Sequence, residues 1–142
     1  MSRARKQSRK AAVQALYQWQ MTAQDLNDIE RQFVEENANS KMDFEYFTQI
    51  LHQVPSQVSE LDGLIKPYVD RTMDEINPVE LAILRLGAFE LRQCLDVPFR
   101  VVINEGVELT KKFGADKSHK FVNSVLDKLS KQLRQAEQGN SK

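Results

Sequence analysis

A single cysteine, Cys94, excludes a framework of internal disulfides, and two histidines far apart, His52 and His119, leave too few ligands for a zinc site. No metal is expected. Five glycines and four prolines in 142 residues supply few turns, which argues against many short strands. The plentiful Ala, Leu, Gln, Glu and Lys favour long helices instead. No apolar run approaches the roughly 20 residues that cross a bilayer, and the basic start is not followed by the apolar segment of a secretory signal. A cytoplasmic, reducing location without membrane association is expected. Catalytic signatures are missing as well. There is no Gly-x-Ser-x-Gly elbow, and Gly114-Ala115-Asp116-Lys117-Ser118 lacks the second glycine and the preceding strand of a phosphate-binding loop. Cys94 has no histidine nearby in sequence to make it a nucleophile, and Glu105 with Glu108 reads as an ordinary solvated helix face. The chain is read as a binding protein, not an enzyme, with no cofactor.

What is present is charge, unevenly placed. The formal net charge is zero, but residues 1 to 19 hold Arg3, Arg5, Lys6, Arg9 and Lys10 with no carboxylate, a charge of plus five. Residues 20 to 47 carry minus five, and Gly106 to Arg134 carry plus four, with seven basic against three acidic side chains. Such a dipolar chain can attract an anion despite its neutral total.

The hydrophobic spacing predicts an all-α fold of about seven helices in two small bundles. A first helix runs from about Arg5 to Met21, and Asp25 caps a second with Leu26, Ile29 and Phe33 on its inner face. From Phe44 to Tyr68 an apolar stripe marks a long helix in which Pro55 predicts a kink or a break. Asn77-Pro78-Val79-Glu80 starts a helix that is apolar over more than one face and therefore central, with Glu80 placed to reach back to the cap. Asp96-Val97-Pro98 starts the next, which Gly114 ends in a left-handed conformation. Ser118 caps the last. One domain over 1–135 is expected, with a basic segment 1–10, two helical subdomains meeting near 70–77, and a disordered tail over 136–142.

The basic cluster enters a helix directly rather than a spacer. Arg5 and Arg9, four apart, are predicted to share a face and present guanidinium forks to successive phosphates, beside Arg3, Lys6 and Lys10. Tyr17 and Trp19 offer ring faces on which an unstacked base can rest, against core packing as the alternative for each.

Eight-residue runs at Ala12-Val13-Gln14-Ala15-Leu16-Tyr17-Gln18-Trp19 and Leu61-Asp62-Gly63-Leu64-Ile65-Lys66-Pro67-Tyr68 are joined by Glu80-Leu81-Ala82-Ile83-Leu84-Arg85, Val97-Pro98, Ile103-Asn104-Glu105, Phe113-Gly114 and Lys120-Phe121-Val122-Asn123. In these motifs, in this order, the chain resembles the bacterial transcription antitermination factor NusB family. The resemblance implies a helical fold and binding of the boxA element of ribosomal RNA leader transcripts as a heterodimer with NusE. It also implies assembly on RNA polymerase with NusA and NusG. It assigns RNA contacts to Arg5, Lys6, Arg9 and Tyr17, with a second patch at Glu80, Phe113, Gly114, Asp116, Lys117, Lys120 and Phe121. Homodimerisation is left open. Two alternatives stand beside it: a protein-interaction module without its own RNA contacts, and an RNA-binding domain related to that of RNA methyltransferases.

Overall fold

The first helix begins at a serine, Ser2, whose Oγ accepts the Arg5 backbone N–H at 3.2 Å and so satisfies one of the unpaired donors of the first turn. A computed structural model describes residues 2–139. Among the described residues every regular element is helical, and the chain divides into two compact units, Met1–Gln57 and Val58–Lys142.

The first unit holds α1 (Arg3–Thr22), α2 (Leu26–Glu36) and α3 (Phe44–Ser56), each packed on the other two. Asp25 Oδ1 caps α2 through the Asn27 N–H, and Asp43 Oδ1 caps α3 through the Tyr46 N–H. Ile29 and Phe33 of α2 are buried as their spacing predicts, along with Phe47, Ile50, Leu51 and Val54 of α3. On α1 the buried face is built from Ser8, Ala12, Val13 and Leu16. Ser8 Oγ lies 3.0 Å from the Ala4 carbonyl and 2.7 Å from that of Asp43, tying the start of α3 to α1.

Pro55 does break the long helix. Gln57 leaves helical geometry at φ −116°, ψ 17°, and its N–H closes α3 on the Gln53 carbonyl. The division between units falls there, earlier than the expected meeting point near 70–77.

The second unit comprises α4 (Val58–Ile65), two 3-10 turns at Lys66–Tyr68 and Met73–Glu75, α5 (Pro78–Gln93), α6 (Phe99–Phe113), α7 (Ser118–Leu133) and α8 (Gln135–Gly139). Asn77 Oδ1 accepts the Val79 N–H at 2.9 Å, with Pro78 first in α5. As its all-round apolarity predicts, α5 is central, in contact with α4, α6 and α7. Gly87 and Gly106 admit the side chain of Leu126: a Cβ at either would stand 2.6 or 2.7 Å from one of its methyl carbons. The helices approach closely because those two positions have no side chain.

The expected tail is ordered in part. Residues 135–139 form α8, held by Arg134 and Glu137, whereas 140–142 lie outside the described residues. Arg134 is buried, and its guanidinium donates to the carbonyls of Glu90, Leu91, Cys94 and Val97 at 2.7 to 3.1 Å. Those groups close α5 and the turn after it; the Glu90 and Cys94 carbonyls also accept the N–H groups of Cys94 and Val97, whereas Arg134 is the donor to those of Leu91 and Val97. Glu137 pairs with Arg134 at 2.7 Å and accepts the Phe99 N–H at 3.0 Å, capping α6 in place of Pro98, which has no capping side chain.

Candidate nucleic-acid interface

On α1, residues 3, 6, 10, 14, 17 and 21 are spaced by three or four and are all exposed. Arg3, Lys6, Lys10, Gln14, Tyr17 and Met21 therefore line one exposed stripe along the helix, flanking its buried face. Cations fill its N-terminal half and Tyr17, 38 % exposed, continues it. Three ammonium or guanidinium groups followed by an accessible ring provide charge for phosphates and a platform for a base.

Arg5 and Arg9 occupy a different face. The Arg5 guanidinium lies 4.3 Å from the centroid of the Tyr46 ring and the residue is half-buried. Arg9 has no exposed surface at all; its guanidinium is 5.3 Å from the same centroid, and Nη2 donates to the Tyr46 hydroxyl at 3.4 Å. The expectation that Arg5 and Arg9 would present paired forks to a ligand is corrected for Arg9. Its spacing of three and seven to Ala12 and Leu16 places it on the inner face of α1, and Tyr46 of α3 receives it there through a cation–π contact. Trp19 is half-buried.

The second unit carries the other predicted set. Glu80, in the first turn of α5, is only 5 % exposed, and burial pushes its carboxyl above the ordinary glutamate value, opposed by the positive charge of Arg71. The Arg71 guanidinium lies 4.2 Å from the centroid of Phe121 in the first turn of α7, and its Nε donates to Asp70 at 2.8 Å. Arg71 thus lies over the ring of Phe121 and acts on Glu80 through its charge. It was not singled out in the sequence because it falls in the irregular connector between Tyr68 and α5, where no periodicity marks a residue's direction.

Phe113 and Gly114, both half-buried, close α6, while Asp116, Lys117 and Lys120 are exposed around the start of α7. Gly114 is not left-handed as expected: its φ is −88° and ψ 178°. Its need is spatial, since a Cβ would lie 2.8 Å from both the Thr110 carbonyl oxygen and Ser118 Oγ. The left-handed residue is Lys117, with φ 68°, and it stands at the N-cap where Ser118 was expected; Ser118 opens α7 and its Oγ donates to the Ala115 carbonyl at 2.6 Å. Lys117 and Lys120 add charge to a helix N-terminus, whose dipole already favours anions. Among the described residues no group of three or more His, Cys, Asp or Glu side chains is arranged to hold a metal, and no helix is long and apolar enough to cross a membrane.

Comparison with known proteins adds independent findings. The sequence profile of the NusB family matches residues 6–131. A transcription antitermination protein NusB from Hahella chejuensis is 54 % identical over 133 residues, covering 94 % of this chain and 89 % of the relative. Among solved structures, NusB of T. maritima superposes with a TM-score of 0.79 at 30 % identity over 93 % of this chain and 94 % of its own. NusB solved together with NusE and double-stranded RNA gives a TM-score of 0.81 at 32 % identity, over 93 % of this chain and 99 % of that one.

Proposed function

Because the chain belongs to the NusB family of transcription antitermination proteins, we propose that it binds the boxA element of ribosomal RNA leader transcripts as a heterodimer with NusE. In this reading the pair joins RNA polymerase, with NusA and NusG, in the cytoplasm. The observation that carries it is the exposed stripe of Arg3, Lys6 and Lys10 leading to Tyr17 on α1. Cations of this kind grip phosphates and fix the position of a strand, while ring faces and base edges supply preference. Lys117 and Lys120 of the second unit give a further anion-binding surface, and Arg71 sets the ring of Phe121 beside it.

Salt titration of binding to a short boxA RNA, with and without NusE, tests the reading. Each phosphate contact on a single strand contributes about 0.7 to the slope of log affinity against log salt, so Arg3→Ala/Lys6→Ala/Lys10→Ala together lower the slope by about 2. Affinity that ignores salt, or a triple variant that binds like wild type, would sink the proposal. The related complex with double-stranded RNA favours a second reading, in which a duplex is the ligand. Competition by the same boxA sequence annealed to its complement decides it: a duplex that displaces the single strand at equal concentration supports the duplex reading.

A further inference from the structure

Beside the cationic stripe, a groove of about 390 Å³ opens between α1 and α2. Gln7, Lys10 and Gln14, spaced by three and four, line it from α1, and Phe33, Glu36 and Asn37 from α2. Its apolar floor is fixed, because Phe33 stacks on Phe47 with ring centroids 6.1 Å apart. Around that floor the polar groups are rich in acceptors. The Asn37 amide is oriented by donating Nδ2 to the Phe33 carbonyl at 2.8 Å, and Glu36 receives Gln32 Nε2 on one carboxylate oxygen. Gln7 Oε1 is buried without any hydrogen-bond partner. A buried amide oxygen left without a donor is costly, and a turn of the amide about its last torsion would offer it to one.

We infer that this groove is a base-binding subsite that takes a single unstacked nucleobase bearing an exocyclic amine. The inference rests on the RNA reading above and adds to it where a base is read. The volume lies at the small end of ligand sites, suited to one nucleoside. The ring lies against Phe33, its amine donates to Gln7 Oε1 or the Glu36 carboxylate, and Lys10 meets the phosphate. Amide and carboxylate side chains distinguish bases in this way through their hydrogen-bonding edges. Continuity favours RNA over a peptide, since Lys10 and Gln14 belong both to the groove and to the exposed stripe.

Cytosine and uracil differ at this edge by amine against carbonyl at C4 and by acceptor against N–H at N3, and only cytosine carries the exocyclic amine, so they form the test pair. With the full chain, side-chain amide NMR signals of Gln7, Gln14 and Asn37 are followed on adding cytidine 5′-monophosphate, uridine 5′-monophosphate or ribose 5-phosphate. Cytidine monophosphate is expected to shift them most. In parallel, oligo(C) is expected to bind about five-fold or more tightly than oligo(U), and Gln7→Met, of nearly the same shape, to reduce that ratio below about two-fold while the salt slope is unchanged. Equal shifts from all three small molecules, or an unchanged ratio in Gln7→Met, overturn the inference. So do amides that move with NusE and with no nucleotide, which would assign the groove to a protein segment. If binding keeps its dependence on Arg3, Lys6 and Lys10 while cytosine and uracil are not distinguished, only the subsite falls; if no RNA binds at all, the proposed function falls with it.

Discussion

Arg9 of α1 and Tyr46 of α3 are bound to each other in the interior, guanidinium against ring at 5.3 Å and Nη2 against hydroxyl at 3.4 Å. A cluster of five basic residues therefore contains two kinds of arginine. Arg3 meets solvent, and Arg9 joins helices. Truncating a buried guanidinium removes packing and leaves its partners without a donor, so Arg9→Ala is expected to cost about 2–4 kcal/mol in urea denaturation, and Arg3→Ala less than about 0.5 kcal/mol. At equal folded fraction the order for RNA reverses, and Arg3→Ala loses the phosphate contact.

The helical class, the caps at Asp25 and Asn77 and the break after Pro55 were legible in the sequence because each depends on a few consecutive residues. Arg9 was not. A basic residue between Ser8 and Lys10 carries no local mark of burial; its direction is set by Tyr46, 37 positions away. Arg71 was missed for a similar reason, since Phe121 and Glu80 reach it only through tertiary packing. At the turn after α6, the sequence correctly implied a glycine-dependent end but assigned the left-handed geometry to Gly114. That conformation falls on Lys117, and Gly114 is required for lack of space. The tail's composition is polar, and its order comes from Arg134 and Glu137 finding backbone groups of α5 and α6.

Lys117 holds a left-handed conformation that disfavours a residue with a Cβ by roughly 1–2 kcal/mol. Lys117→Gly should consequently leave stability equal to wild type or raise it by up to about 1 kcal/mol, as thermal unfolding would show. If Lys117 touches a phosphate, the same variant reduces the salt slope of RNA binding by about 0.7. A less stable variant with unaltered binding would contradict both parts.

Gly114→Ala and Gly106→Ala are expected to differ in kind. The added methyl at Gly106 meets Leu126 inside the second unit and costs about 1–3 kcal/mol through overpacking. At Gly114 it meets the Thr110 carbonyl oxygen, so the chain must move away from the end of α6. RNA affinity, measured where both variants are folded, should fall for Gly114→Ala and hold for Gly106→Ala.

Glu80 makes a prediction about pH. Its folded pKa is raised by burial, so between the ordinary glutamate value and the raised one the folded chain keeps a proton that the unfolded chain has lost. This contribution to stability is full below the ordinary value, declines as pH rises through that window, and stays low above it. Glu80→Gln, always neutral, should be more stable than wild type at neutral pH and similar to it below the window. Urea midpoints at several pH values measure the difference, and a constant offset across all of them would exclude Glu80 as its source.

Arg134 concentrates the most hydrogen bonds on one side chain described in the second unit, four of them to carbonyls at the end of α5 and the turn before α6. Methionine preserves much of the buried stem but supplies no donor, so Arg134→Met leaves the Leu91 and Val97 carbonyls unsatisfied, those of Glu90 and Cys94 keeping the N–H groups of Cys94 and Val97, and is expected to cost about 3 kcal/mol or more. Glu137→Ala removes only the carboxylate that accepts from Phe99 and Arg134 and should cost about 1 kcal/mol, the scale of a lost helix cap. Because Glu137 is held below the ordinary carboxylate range by the Phe99 N–H first and Arg134 second, its contribution is present above the unfolded value and fades as pH falls through the folded one. Hydrogen exchange at the Phe99 amide reads this directly: protection should drop in Glu137→Ala and in acid, whereas a Phe99 amide equally protected in both would show that α6 is capped without Glu137.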